Sequence, residues 1–74
     1  MTDWAEHQAA EVLRERYDAA PERDKMLAIH LFGIEFADRL DGLSINKISE
    51  LALDRQLGPQ IRAGMKLAKY VRLK

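Results

Sequence analysis

The stretch SINKISELALDRQLGPQIRAGMKLAKYVRLK, Ser44 to Lys74, decides how this chain is read. Its first part spaces Ile45, Ile48, Leu51 and Ala52 at helical intervals, which puts them on one face of a short helix from about Ile45 to Leu53, capped by Ser44. Asp54-Arg55-Gln56-Leu57-Gly58 follows as a turn. Gly58-Pro59 opens a longer helix, about Pro59 to Leu73, because proline at a first helical position has no N–H to leave unpaired. At about 100° per residue, Ile61, Gly64, Met65, Ala68 and Val71 share its inner side. Arg62, Lys66 and Lys69 line the other side, flanked by Tyr70.

Short helix, turn and longer helix give the outline of a helix-turn-helix. In that motif the first helix braces the phosphate backbone and the second enters the major groove. Ala52 is the small residue for the helix crossing, and Leu57, Ile61 and Met65 fix the angle. Arg62 and Lys66 then point outward, with Gln60 near the groove entrance. Arginine and glutamine side chains can each make two parallel hydrogen bonds to a base edge. The pattern departs from the usual motif in its turn. With Ala52 in the small slot, the turn glycine four positions on is replaced by Gln56, and the apolar slot ten positions on is Arg62. Either Gly58-Pro59 sets a remodelled turn, or a helical bundle without a nucleic-acid role imitates the outline.

Upstream the periodicity is also helical. A first helix is expected from about Asp3 to Ala19, capped by Thr2 or Asp3, with Trp4, Ala5, Ala9, Val12, Leu13, Tyr17 and Ala20 as its apolar stripe. Pro21 ends it and opens a second, from about Glu22 to Leu40. That helix is apolar around most of its circumference between Met26 and Ala37, so it is expected to be central and enclosed, with Gly33 admitting a close neighbour. Gly42 supplies its left-handed cap. The expected fold is all-α: a compact four-helix domain, single over residues 1–74, with a helix-turn-helix-like unit at about 44–73.

Two blocks, IHLFGIEFADRL (Ile29 to Leu40) and IRAGMKLAKYVRLK (Ile61 to Lys74), with the Leu43-Ser44…Ile48 lead-in, resemble a family of small bacterial helix-turn-helix-like domains. The resemblance implies a helical, helix-turn-helix-like fold. It brings no catalytic residue, cofactor or target with it, so a DNA role from this source is analogy of fold.

Composition narrows the function classes. The chain has 74 residues, 47% of them hydrophobic, 12 basic and 12 acidic side chains and no cysteine. That excludes a disulfide framework and a thiolate metal site, and no apolar run is long enough for a membrane span. A cytoplasmic domain is expected. A chain this small without staples gains from a partner subunit, so a homodimer is a possible state. Charge is segregated: residues 1–43 carry ten acidic and five basic groups (−5), and residues 44–74 carry two acidic and seven basic (+5).

No constellation reads as an active site, and no cofactor is expected. His7 and His30 are too few for a zinc centre. His30 lies in an apolar block, where a partly buried, hydrogen-bonded imidazole is the ordinary outcome. Glu35 and Asp38 are solvated neighbours, and Ser44 and Ser49 have nothing to activate them. Trp4 is expected to pack on the core, the alternative being an anchor at a partner interface. The functional expectation is a non-catalytic module that binds double-stranded DNA. Its contacts would be Lys47 on the bracing helix, Arg55 in the turn, and Gln60, Arg62, Lys66 and Lys69 on the last helix. The alternative is a small protein-interaction or dimerisation module using the apolar circumference of the second helix or the Tyr70–Leu73 edge.

Overall fold

Gln8 starts the first helix: its side-chain oxygen accepts the Ala5 N–H at 2.9 Å, which satisfies one of the donors a helix N-terminus leaves open. The structure, a computed structural model, describes residues 4–71. Its elements are α1 (Glu6–Ala19), a 3-10 turn (Glu22–Asp24), α2 (Lys25–Glu35), α3 (Ala37–Leu40), α4 (Ile45–Leu53) and α5 (Gly58–Leu67). No strand occurs among the described residues, and the all-α expectation holds. The expected caps Thr2 and Asp3 lie outside the described residues.

The core draws on every helix. Leu13 of α1, Ile29 and Phe32 of α2, Leu40 of α3, Ile48 of α4 and Ile61 of α5 are all fully buried. Trp4, just ahead of α1, packs against Phe36 with tilted rings whose centroids are 4.8 Å apart, and Phe36 lies 5.4 Å from Phe32. Trp4 therefore packs on the core, with the Arg39 guanidinium 5.1 Å from its ring. Lys25 ties α1 to α2 by donating to the carbonyls of Tyr17 and Ala20 at 2.8 and 3.0 Å, closing the carbonyl end of α1. Arg16 forks onto Glu35 at 2.6 and 3.2 Å. This fork holds the Glu35 carboxyl below its usual range.

Several boundaries differ from those expected. Pro21 opens a 3-10 turn rather than an α-helix. The expected second helix divides at Phe36 (φ −111°, ψ 21°), whose ring belongs to the cluster with Trp4 and Phe32. Nor is that helix enclosed: Met26, Leu27 and Leu31 are 43%, 52% and 38% exposed. The last helix stops at Leu67, and Val71, expected on the inner side, is exposed; Leu73, its expected end, lies outside the described residues. Tyr70 is 83% exposed, so residues 69–71 find little apolar surface to pack on, and a short helix without tertiary support does not propagate.

Packing is uneven. Helix α5 rests mainly on α2, and α4 mainly on α1. Gly33 and Gly64 meet where α2 and α5 cross. A Cβ added to Gly33 would run into the Ile61 carbonyl oxygen and sit 3.1 Å from the Gly64 Cα. One added to Gly64 would run into the His30 carbonyl oxygen. The close neighbour expected at Gly33 is therefore α5.

Candidate nucleic-acid interface

The unit formed by α4, a four-residue connection and α5 begins with two caps. The Ser44 hydroxyl accepts the Lys47 N–H at 3.4 Å, as the sequence led one to expect. The Ser44 N–H in turn donates to the Glu6 carboxylate at 3.1 Å, clamping the start of α4 to the first turn of α1. That bond, followed by the Glu6 backbone N–H, holds the Glu6 carboxyl below its usual range, with smaller help from Lys47 and His7.

The turn is not set by Gly58-Pro59. Asp54 takes the left-handed conformation (φ 54°, ψ 36°) that ends α4. Ser49, fully buried on α4, then bridges the loop. Its Oγ accepts the Leu57 N–H at 2.7 Å and its hydroxyl donates to the Arg55 carbonyl. Gln56, in the slot where a glycine is usual, is exposed, and its side-chain amide donates to Glu50. Gly58 is the first residue of α5, pressed against the Asn46 side chain.

On α5, Ile61 and Gly64 are buried, while Arg62 and Lys66 are exposed. Lys69, in the turn after α5, is exposed as well. Arg62 curls back toward α4: a Cβ on Gly58 would lie 3.4 Å from its Nη1, beside Asn46. Lys66 and Lys69 border a shallow depression of about 540 Å³ that they share with Asp38 and Asp41. Those two carboxylates make no ion pair within 4.0 Å to either lysine, yet they dilute the positive field there.

The other expected contacts are dispersed. Lys47 is exposed near the Glu6 carboxylate. Arg55 is exposed, with Nη1 3.5 Å from the Tyr17 hydroxyl of α1. Gln60 is half-buried, and its Oε1 is turned inward without a hydrogen-bond partner among the described residues. The structure thus pairs Lys66 with Lys69 and places Arg62 at the α4–α5 junction, without gathering all six groups into one patch. Sequence reasoning missed Asn46, Ser49 and the flanking Asp38 and Asp41. Only the last two left a signal, the acidic bias of the N-terminal part.

Among the described residues no group of three or more His, Asp or Glu could hold a metal ion, and no helix is long and apolar enough to cross a membrane. The α4–turn–α5 unit, braced by α1 and α2, places this chain among small helical domains with a helix-turn-helix-like unit. A family model described as "HTH-like domain" matches residues 5–74, and the chain belongs to that family. No curated protein and no solved structure gives a significant match.

Proposed function

We propose that this chain is a non-catalytic DNA-binding domain that lays the outward side of α5 against double-stranded DNA. The observation that carries the reading is the division of α5 into two sides: Ile61 and Gly64 fix it to the protein, while Arg62 and Lys66 stand in solvent with Lys69 just beyond. Membership of the HTH-like family supports the same reading. Arg62, Lys66 and Lys69 supply the principal phosphate contacts. Lys47 and Arg55 add weaker ones from α4 and the turn, and Gln60 is too inward for direct base readout without a rotamer change. Asp38 and Asp41 oppose the attraction from the edge of the same depression.

Fluorescence anisotropy with mixed-sequence duplex tests it. Five cations predict a log–log salt slope of about −4 to −5. Lys66→Glu is expected to weaken binding roughly tenfold, and Asp41→Asn to tighten it about twofold, since only a field-driven contact responds oppositely to the two changes. Affinity indifferent to salt and to both substitutions would remove the reading. A second reading, a protein-interaction module, draws on a different surface, the exposed leucines of α2.

A further inference from the structure

The outward side of α2 is apolar where a solvated helix face would be polar. Leu27, Leu31 and Ile34 follow one another at i, i+4 and i+7, opposite the buried Ile29, Phe32 and Gly33. Leu27 and Leu31 are 52% and 38% exposed, and Ile34 is half-buried. Arg23 lies one turn before Leu27 and Asp38 one turn after Ile34, and both are exposed. On an ideal helix Leu27, Leu31 and Ile34 fall within an arc of about 60°, while Arg23 lies in the 3-10 turn ahead of α2 and Asp38 in α3, just beyond the break at Phe36. The stripe therefore runs from a cation, through three aliphatic side chains, to an anion.

That order is self-complementary when reversed. We infer that the α2 stripe is a homodimer interface in which α2 pairs antiparallel with α2 of a second copy about a two-fold axis beside Leu31. In this arrangement Leu27 meets the partner's Ile34, and Arg23 meets the partner's Asp38 at each end. A parallel pairing would instead set Arg23 against the partner's Arg23 and Asp38 against the partner's Asp38. An isologous two-fold contact requires this kind of self-matching patch. A second observation fits the same occupant. Arg16, Ala19, Ala20, Ala28 and Leu31 line a shallow depression of about 240 Å³ on the α1 flank of the stripe. Its alanine methyls offer an apolar floor for the partner's Leu31. A single helix face buries less than the roughly 800 Å² per partner of a standard interface, so the dimer is weak, with Kd on the order of 10–100 μM. The inference does not rest on the DNA reading, although Asp38 also borders the depression beside Lys66 and Lys69, so the dimer is read on the chain without DNA.

Sedimentation velocity on the full chain, from about 5 μM to about 1 mM, brackets that Kd. The expected result is a mass rising from one chain toward two. Leu31→Glu, which sets like charges together at the axis, is expected to weaken the dimer more than tenfold, with circular dichroism showing an intact fold. Arg23→Glu and Asp38→Arg are each expected to weaken it about threefold, and the double variant to restore it. The charge swap decides the question even if Leu31→Glu fails to fold, because both of its positions are exposed. A chain monomeric throughout, a dimer unmoved by Leu31→Glu, or a double variant no tighter than the singles would each overturn the inference.

Discussion

Helix α5 is joined to its two neighbours by different physics. Against α2, backbone meets backbone at Gly33 and Gly64, with no side chain between them. Against α4, the join is a short loop held by one left-handed residue, Asp54, and by the buried Ser49 hydroxyl, while the two helices share little surface. The first join is steric and tolerates no added atoms. The second is made of hydrogen bonds, each worth about 1 kcal/mol net. The contrast teaches that the second helix of this helix-turn-helix-like unit takes its placement from α2, outside the unit, more than from its own turn.

The most direct way to break the contrast is Gly64→Ala. The added methyl meets the His30 carbonyl, which cannot move without moving α2, so a loss of about 3 kcal/mol is expected in urea unfolding. A loss below about 1 kcal/mol would mean that the crossing is softer than its geometry implies. Ser49→Ala comes next. It leaves the buried Leu57 N–H and the Arg55 carbonyl without their partner, and about 2 kcal/mol is expected by the same measurement. Should it equal or exceed Gly64→Ala, the turn rather than α2 holds α5.

The smallest effect concerns the clamp at the start of α4. The Glu6 carboxyl titrates below its usual range, chiefly because it accepts the Ser44 N–H. A carboxyl whose folded pKa is depressed stabilises the fold fully above its unfolded pKa of about 4.3, and that contribution fades as pH falls through the folded value. Glu6→Gln is therefore expected to lower the melting temperature slightly at neutral pH, with the gap to the parent chain closing in acid. A gap that stays constant with pH would show that the Ser44 bond does not need the charge.

Much of this fold was legible in the sequence because its signals are local. Ser44 as a cap, Gly42 at positive φ (88°), and the bounds of α4 follow from side-chain chemistry within a few residues. The break at Phe36 was not legible, since neither proline nor glycine marks it and the ring's partners lie in another helix. The early end of α5 was hidden for a related reason: the apolar spacing continues to Val71, but α5 runs out of packing surface before that point. The exposed leucines of α2 misled in the opposite direction, because apolarity around a helix reads as burial whether or not neighbours exist to cover it. For the candidate interface, the sequence identified cations that do stand in solvent. It could not show that Asp38 and Asp41 come to line the same depression as Lys66 and Lys69, a juxtaposition of segments far apart in the chain.

The paired glycines also limit how the molecule can be altered. Most packed positions can answer an enlarged neighbour by shrinking a side chain of their own, but Gly33 and Gly64 have none to give up. A change at either one can be accommodated only by shifting a whole helix. The tilt of α5 is therefore inherited from two buried residues that sit on opposite helices.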